Sequence, residues 1–246
     1  MHPVIHALKT QLSALLGTEL VGIYVYGSLV WGDFDPDVSD IDTLVVLTSD
    51  VNETLFQQLD AVHQTLEAQF PDWAGRIEIA YISVIALQTF KTLRSPISVI
   101  SPGELFNTKD AGLDWLINWY TIRAQSVVVY GPVAQTIIPD ISVEEFRTAV
   151  RNQIDEWVDW VTHSRDSRPS QAYVILTMCR ALYAVQSGLQ TSKTQAAAWA
   201  MLHHPTQAER IAKALRWRIQ HREPVKNPAL TYPDAVAMVE YAARVR

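Results

Sequence analysis

One stretch constrains this chain more than any other: VGIYVYGSLVWGDFDPDVSDIDTLVVL, residues 21–47. It follows Leu20 with a run of β-branched and aromatic residues to Tyr26 that reads as a buried strand. Gly27-Ser28 turns the chain, eleven residues intervene, and Asp40-Ile41-Asp42 leads into a second apolar run, Leu44-Val45-Val46-Leu47. Gly27 permits a tight turn with close backbone approach, and Ser28 adds a hydroxyl and an N–H. Together they can hold the terminal oxygens of a triphosphate. Alternation along an extended chain puts Asp40 and Asp42 on one side and turns Ile41 into the core. Two carboxylates that close repel each other unless a cation sits between them. Magnesium, a hard ion that takes oxygen ligands and shares phosphate oxygens, meets that need. Neither Gly-Ser nor Asp-x-Asp is specific alone; the two at this spacing, between apolar strands, are.

The rest of the first half continues the α/β pattern. Leu8, Leu12, Leu15 and Leu16 recur at helical spacing up to Gly17. A second helix is predicted after a cap at Asn52 or Thr54, with Leu55, Leu59, Val62 and Leu66 inward. RIEIAYISV, residues 76–84, reads as a third strand. The second half changes texture: helices are predicted over 113–129, 143–163, 171–187, 194–203, 206–221 and 233–245, separated by Gly and Pro at Gly131-Pro132, Pro139, Pro169, Gly188, Pro205 and Pro224. The fold class is therefore α+β, a sheet domain over 1–139 followed by an all-helical domain over 140–246.

Composition narrows the function classes. Apolar residues at 48% and charged residues at 19% describe a globular chain. A net charge of −6 lacks the basic excess that gripping nucleic acid requires. No apolar stretch reaches the length of a membrane span, and His2-Pro3 opens no signal-peptide pattern, so the expected setting is cytoplasmic, without nucleic-acid or membrane partners. The single cysteine, Cys179, excludes an internal disulfide and reads as a core hydrophobe. Adjacent His203 and His204 face different ways on a helix and do not read as a metal site.

The 21–47 segment resembles the signature of the DNA-polymerase-β-like nucleotidyltransferases. That resemblance implies a third carboxylate on a neighbouring strand, and Glu78, the charged residue within RIEIAYISV, is the candidate. The run VILTMCRALYAVQSGLQTSKTQAAAWAM, residues 174–201, is similar to the helical domain of the aminoglycoside 3''-adenylyltransferases, the streptomycin and spectinomycin resistance enzymes. There an arginine and a lysine reach the nucleotide phosphates, and the matching positions here are Arg180 and Lys193. SVVVYGP, residues 126–132, matches the family's interdomain helix end, and Asp114 an acidic position at that helix's start.

The resemblance implies transfer of AMP from ATP to a hydroxyl of a cationic small molecule, with catalysis needing both domains. Asp40 and Asp42 are expected to hold Mg2+, Gly27, Ser28, Ser39, Arg180 and Lys193 to bind the nucleotide, and Glu78 to act as base. Glu104 and Asp114 are expected to line the acceptor side with negative charge. That side departs from the family: Gly103-Glu104 is followed by Leu105 where members carry tryptophan, and Asp166 is the only acid in SRDSRPSQA, residues 164–172. A spectinomycin-like acceptor is therefore expected over streptomycin. The alternatives are adenylylation of a protein or another small molecule, and a non-catalytic nucleotide-binding regulator.

Overall fold

A computed structural model describes residues 2–36, 39–220 and 227–246. The chain divides into two compact units, Met1–Asp140 and Ile141–Arg246. The first unit is a six-stranded sheet in the order β5-β4-β3-β2-β1-β6. Its strands are β1 (Leu20–Tyr26), β2 (Ile41–Leu47), β3 (Ile77–Ser83), β4 (Ser95–Ser101), β5 (Glu104–Ala111) and β6 (Val127–Tyr130). Helices α1 (Pro3–Leu16), α2 (Ser28–Trp31), α3 (Glu53–Gln69), α4 (Val84–Thr89) and α5 (Leu116–Gln125) complete it.

One pairing in this sheet determines the rest. β2 and β3 run parallel, while the other neighbours are antiparallel. Parallel neighbours need a crossover rather than a hairpin, and α3 supplies it. Asn52 caps that helix by accepting the Leu55 N–H at 2.9 Å, as the sequence predicts. The crossover brings the first residues of β2 and of β3 to the same end of the sheet.

The two faces of the sheet follow from alternation. Ile23, Val25, Ile41, Val45, Leu47, Ile77, Ile79 and Tyr81 join Leu8 and Leu12 of α1 and Leu55, Leu59 and Leu66 of α3 in one core cluster. Each such side chain withdrawn from water contributes about 1.5–3 kcal/mol, which fixes the register of the strands. The even-numbered positions, Tyr24 and Tyr26, Asp42, Leu44 and Val46, Glu78, Ala80 and Ile82, consequently face the other way.

The sequence underestimates this sheet. The three predicted strands are present, but β4 and β5 form an unpredicted hairpin and β6 takes the last three residues, 127–129, of the helix predicted over 113–129. That helix is shorter, Leu116–Gln125, and Val127-Val128-Val129-Tyr130 pairs with β1 as an edge strand. Three consecutive valines favour the pleated ladder over a helix, where their χ1 freedom would be lost.

The second unit consists of α6 (Val143–Trp160), α7 (Arg168–Ser187), α8 (Lys193–His203), α9 (Ala208–Ile219) and α10 (Tyr232–Val245). Ser142 and Glu145 form a reciprocal capping box at the start of α6. α7 is the central helix and buries Val174, Ile175, Met178, Cys179 and Leu182. Cys179 is fully buried, and burial pushes its thiol up to about 12, which makes it the inert core residue expected. Gln171, also fully buried, donates to the carbonyls of Ser164, Arg165 and Pro228 at 2.9–3.1 Å and so ties the chain before α7 to the turn before α10. The predicted end of the helix before this turn, His221, lies outside the described residues, as does Pro224. Among the described residues, no helix is long and apolar enough to cross a membrane.

Candidate active site

The candidate site lies where β1 ends and β2 and β3 begin. Tyr26 is the register partner of Asp42, and Asp42 the register partner of Glu78. The three side chains therefore form a row across three adjacent strands on the face turned away from α1 and α3. Asp42 and Glu78 are each half-buried, so neither charge is fully solvated. Ala80 and Ile82, on the Glu78 side of β3, are 3% and 2% exposed, so this is not a solvent face that tolerates charge casually.

Tyr26 was not anticipated from the sequence. Its hydroxyl is held well above the usual tyrosine range, first by burial and then by the charges of Asp42 and Glu78. It remains a neutral phenol beside two carboxylates. Its position directly before Gly27 and its parity with Asp42 were the available signals.

Gly27 has φ 73° and ψ −147°, a conformation essentially restricted to glycine. A Cβ there would overlap Oδ2 of Asp42, so the turn and the carboxylate are packed directly against each other. Ser28 opens α2, whose Val30 and Trp31 N–H groups bond back to the Gly27 carbonyl at 3.1 and 3.2 Å. Trp31 donates from its indole N–H to Oε1 of Gln125 at 2.6 Å, which ties α2 to the end of α5. The turn is thus anchored from both sides.

Asp40 and Ser39 precede β2. Ser39 is buried; its N–H donates to the Asp35 carbonyl at 2.8 Å, and its Oγ accepts the Asp35 N–H at 3.0 Å. Its hydroxyl thus helps close the loop that delivers Asp40.

Arg180 and Lys193 belong to the helical unit. Arg180 is half-buried on α7 and donates to Oε1 of Gln190 at a long 3.5 Å. Lys193 is the first residue of α8, after the Ser192 cap, and its Nζ lies 4.7 Å from the ring centre of Tyr173. Tyr173 and Arg180 are seven residues apart on α7, two turns along one face. The two cations are therefore held near one stripe of the helical unit.

The two acceptor-side residues expected from the sequence sit elsewhere in the sheet unit. Glu104 is exposed at the β4–β5 hairpin, two strands from β3, and is paired with Lys109 at 2.5 Å. The Lys109 hydrogen bond and charge hold its carboxyl below the usual range. Asp114 is engaged by Arg94 at 3.2 Å and by the Gly112 N–H at 2.8 Å. It follows the Ser95↔Ala111 end of the β4–β5 ladder, whereas Glu78 lies near the Ser101↔Glu104 end. At about 3.3 Å per strand residue, that separates Asp114 from Glu78 by roughly 20 Å along the sheet. The structure brings Gly27, Ser28, Ser39, Asp40, Asp42 and Glu78 together, places Glu104 in line with Glu78 two strands away, and leaves Asp114 at the far end of the sheet.

The carboxylate row can be tested for its fit to a cation. Among the described residues, no three His, Cys, Asp or Glu side chains form a self-sufficient metal cage. Magnesium does not need one: it binds through one or two carboxylates and completes its shell with phosphate oxygens and water. Acid side chains gathered beside a glycine turn fit that mode, and fit zinc poorly.

Comparison with known proteins decides the family. Residues 5–109 match the model of the nucleotidyltransferase domain, and residues 136–244 that of the aminoglycoside adenylyltransferase C-terminal domain. The chain is a nucleotidyltransferase, kin to the aminoglycoside adenylyltransferases. This nucleotidyltransferase is 26% identical over 229 residues to an aminoglycoside (3'') (9) adenylyltransferase of Klebsiella pneumoniae, with 85% of this chain and 84% of that one covered. It is 25% identical over 196 residues to a spectinomycin 9-adenylyltransferase of Staphylococcus aureus, covering 76% and 73%. Its fold matches that of a spectinomycin adenyltransferase from Enterococcus faecialis, solved with ATP and spectinomycin, at a TM-score of 0.73 and 21% identity over 96% of this chain and 98% of that one.

Proposed function

We propose that this nucleotidyltransferase transfers AMP from ATP to a hydroxyl of a cationic aminocyclitol or aminoglycoside, with spectinomycin-like acceptors favoured over streptomycin. The observation that carries the reading is the Asp42–Glu78 register pair packed against the Gly27-Ser28 turn. Relatives named for aminoglycoside (3'') (9) and spectinomycin 9-adenylylation supply the acceptor class.

In this mechanism the acceptor oxygen forms a bond to the α-phosphorus as the bond from that phosphorus to the pyrophosphate oxygen breaks. Glu78 takes the hydroxyl proton. Gly27 and Ser28 position the outer phosphates, with Ser39 alongside, and Arg180 and Lys193 are assigned the charge of the departing pyrophosphate. Asp40 and Asp42 are the residues that would hold Mg2+, which when bound neutralises charge on the phosphates. Tyr26 stays protonated beside Asp42 and Glu78, which keeps a third negative charge out of the row. Glu104 and Asp114 have no step in it.

The preference for spectinomycin rests on Leu105, 89% exposed at the position where the family carries tryptophan, and on the single acid, Asp166, before α7. Calorimetric titration tests the reading. ATP should bind only with Mg2+ present, and spectinomycin should bind the ATP-loaded protein more tightly than streptomycin. ATP binding without response to Mg2+ would count against the assignment, and tighter binding of streptomycin against the preference.

A further inference from the structure

Asp40 lies one residue outside β2, where the sheet ladder no longer fixes it, yet metal binding would require its carboxylate to be placed as well as that of Asp42. We propose that Arg76 is the positioning residue that does this. The inference rests on the reading that Asp40 and Asp42 hold the cation.

The geometry is specific to Asp40. The guanidinium Nη2 of Arg76 donates to the Ser39 carbonyl at 2.5 Å, and the Arg76 carbonyl accepts the Ile41 N–H at 3.0 Å. The Ser39 carbonyl belongs to the peptide before Asp40, and the Ile41 N–H to the peptide after it. One residue therefore holds both peptide planes that flank Asp40, and with them its φ and ψ. The β2–β3 register, Ile41↔Ile77, explains why: position 76 stands beside position 40 where the two strands begin.

Arg76 is itself held. Its guanidinium lies 4.6 Å from the ring centre of Trp73, and its N–H bonds to the Trp73 carbonyl at 3.0 Å. Trp73 stacks on Phe34 at 5.7 Å between ring centres and meets His2 edge-on at 4.8 Å. Gly75, the preceding residue, donates to Glu67 of α3 at 3.0 Å. An arginine serves here because a planar cation can lie on an aromatic ring while its edge donates to a carbonyl.

Removing the guanidinium releases the peptide before Asp40 while Asp42 stays fixed inside its strand. The defect should fall on metal affinity and leave turnover at saturating metal nearly intact. Groups that orient metal ligands typically contribute about 10–100-fold to affinity. The test compares wild type with Arg76→Met, which keeps the stem over Trp73, and Arg76→Lys, which keeps the charge. Mn2+ binding in the presence of a non-hydrolysable ATP analogue is read by water-proton relaxation, alongside the Mg2+ activation curve for AMP transfer and a thermal melt.

For Arg76→Met the expected result is Mn2+ affinity lower by about tenfold or more, a matching shift of the Mg2+ activation midpoint, and kcat at saturating Mg2+ within about threefold of wild type. Arg76→Lys should fall between the two. A folded Arg76→Met that binds Mn2+ as wild type does overturns the inference, as does a loss of kcat that Mg2+ cannot restore. Should Arg76→Met not fold, Arg76→Gln is held to the same two outcomes. If wild type with the analogue binds no Mn2+, the metal reading of Asp40 and Asp42 has failed first, and the inference falls with it.

Discussion

Asp42 and Glu78 are direct register partners, second residues of the parallel strands β2 and β3, and share the sheet face that Tyr26 occupies on β1. Parallel pairing through α3 is what makes this possible: it starts both strands at one end of the sheet and gives both acids the same parity. The pair is half-buried, where like charges repel more strongly than in water. On the proposed reading, a cation bound at Asp42 would relieve that repulsion.

Replacing Asp42 with Asn is predicted to abolish AMP transfer and leave the fold intact, since the change preserves shape and removes one of the crowded charges. Without metal, the melting temperature should equal or slightly exceed that of wild type. Near-normal turnover in Asp42→Asn would refute the role of Asp42.

Glu78→Gln should leave ATP affinity largely unchanged and slow the chemical step by roughly 10²–10⁴-fold, the usual contribution of a general base. Single-turnover kinetics beside equilibrium ATP binding separate the two. Collapse of ATP binding would make Glu78 chiefly a metal ligand.

Gly27→Ala is predicted to damage the site through Asp42. The new Cβ meets Oδ2 of Asp42, and the backbone at φ 73° disfavours any side chain. Stability should fall by about 1–3 kcal/mol and kcat/KM by more than the stability loss explains. A stable, fully active Gly27→Ala would show that turn and carboxylate are not coupled.

His63 gives a pH signature. It is 4% exposed in α3, its Nε2 is 2.8 Å from the Tyr81 hydroxyl, and burial lowers its pKa to about 4. The unfolded chain takes up this proton near pH 6.5 and the folded chain only near 4. Its contribution is therefore present above pH 6.5 and lost as pH falls from 6.5 to 4, by at most about 3 kcal/mol. Urea unfolding from pH 8 to 5 should show this decline, and His63→Gln should flatten it. An unchanged slope in the variant would assign the decline to other groups.

The legible part of the molecule was the part whose signals are local. Strand, Gly-Ser turn, Asp-x-Asp and strand lie within 27 residues, 21–47, and each element matches the structure. The α7 stripe was equally legible, because Val174, Ile175, Met178 and Cys179 are apolar at helical spacing. β4, β5 and β6 were not. Asn107, Thr108 and Lys109 carry no strand pattern, and their pairing depends on β4 beside them. Tyr26 and Arg76 were missed because their importance is relational. It depends on which strands become neighbours, which no single segment encodes. Charge and motif position point to Glu104 and Asp114, but not to their partners or their places in the sheet: Glu104 stands two strands from Glu78 and is paired with Lys109, while Asp114 follows the far end of the β4–β5 ladder and is paired with Arg94.

The central claim is metal-dependent adenylylation of an aminocyclitol, and transfer of label from ATP marked at its α-phosphate tests it most directly. With spectinomycin and Mg2+, the label should move to the drug with one pyrophosphate released per transfer. Chelation should stop it, and streptomycin should be the poorer acceptor. Label reaching no aminoglycoside, or transfer that continues in excess chelator, would contradict the account.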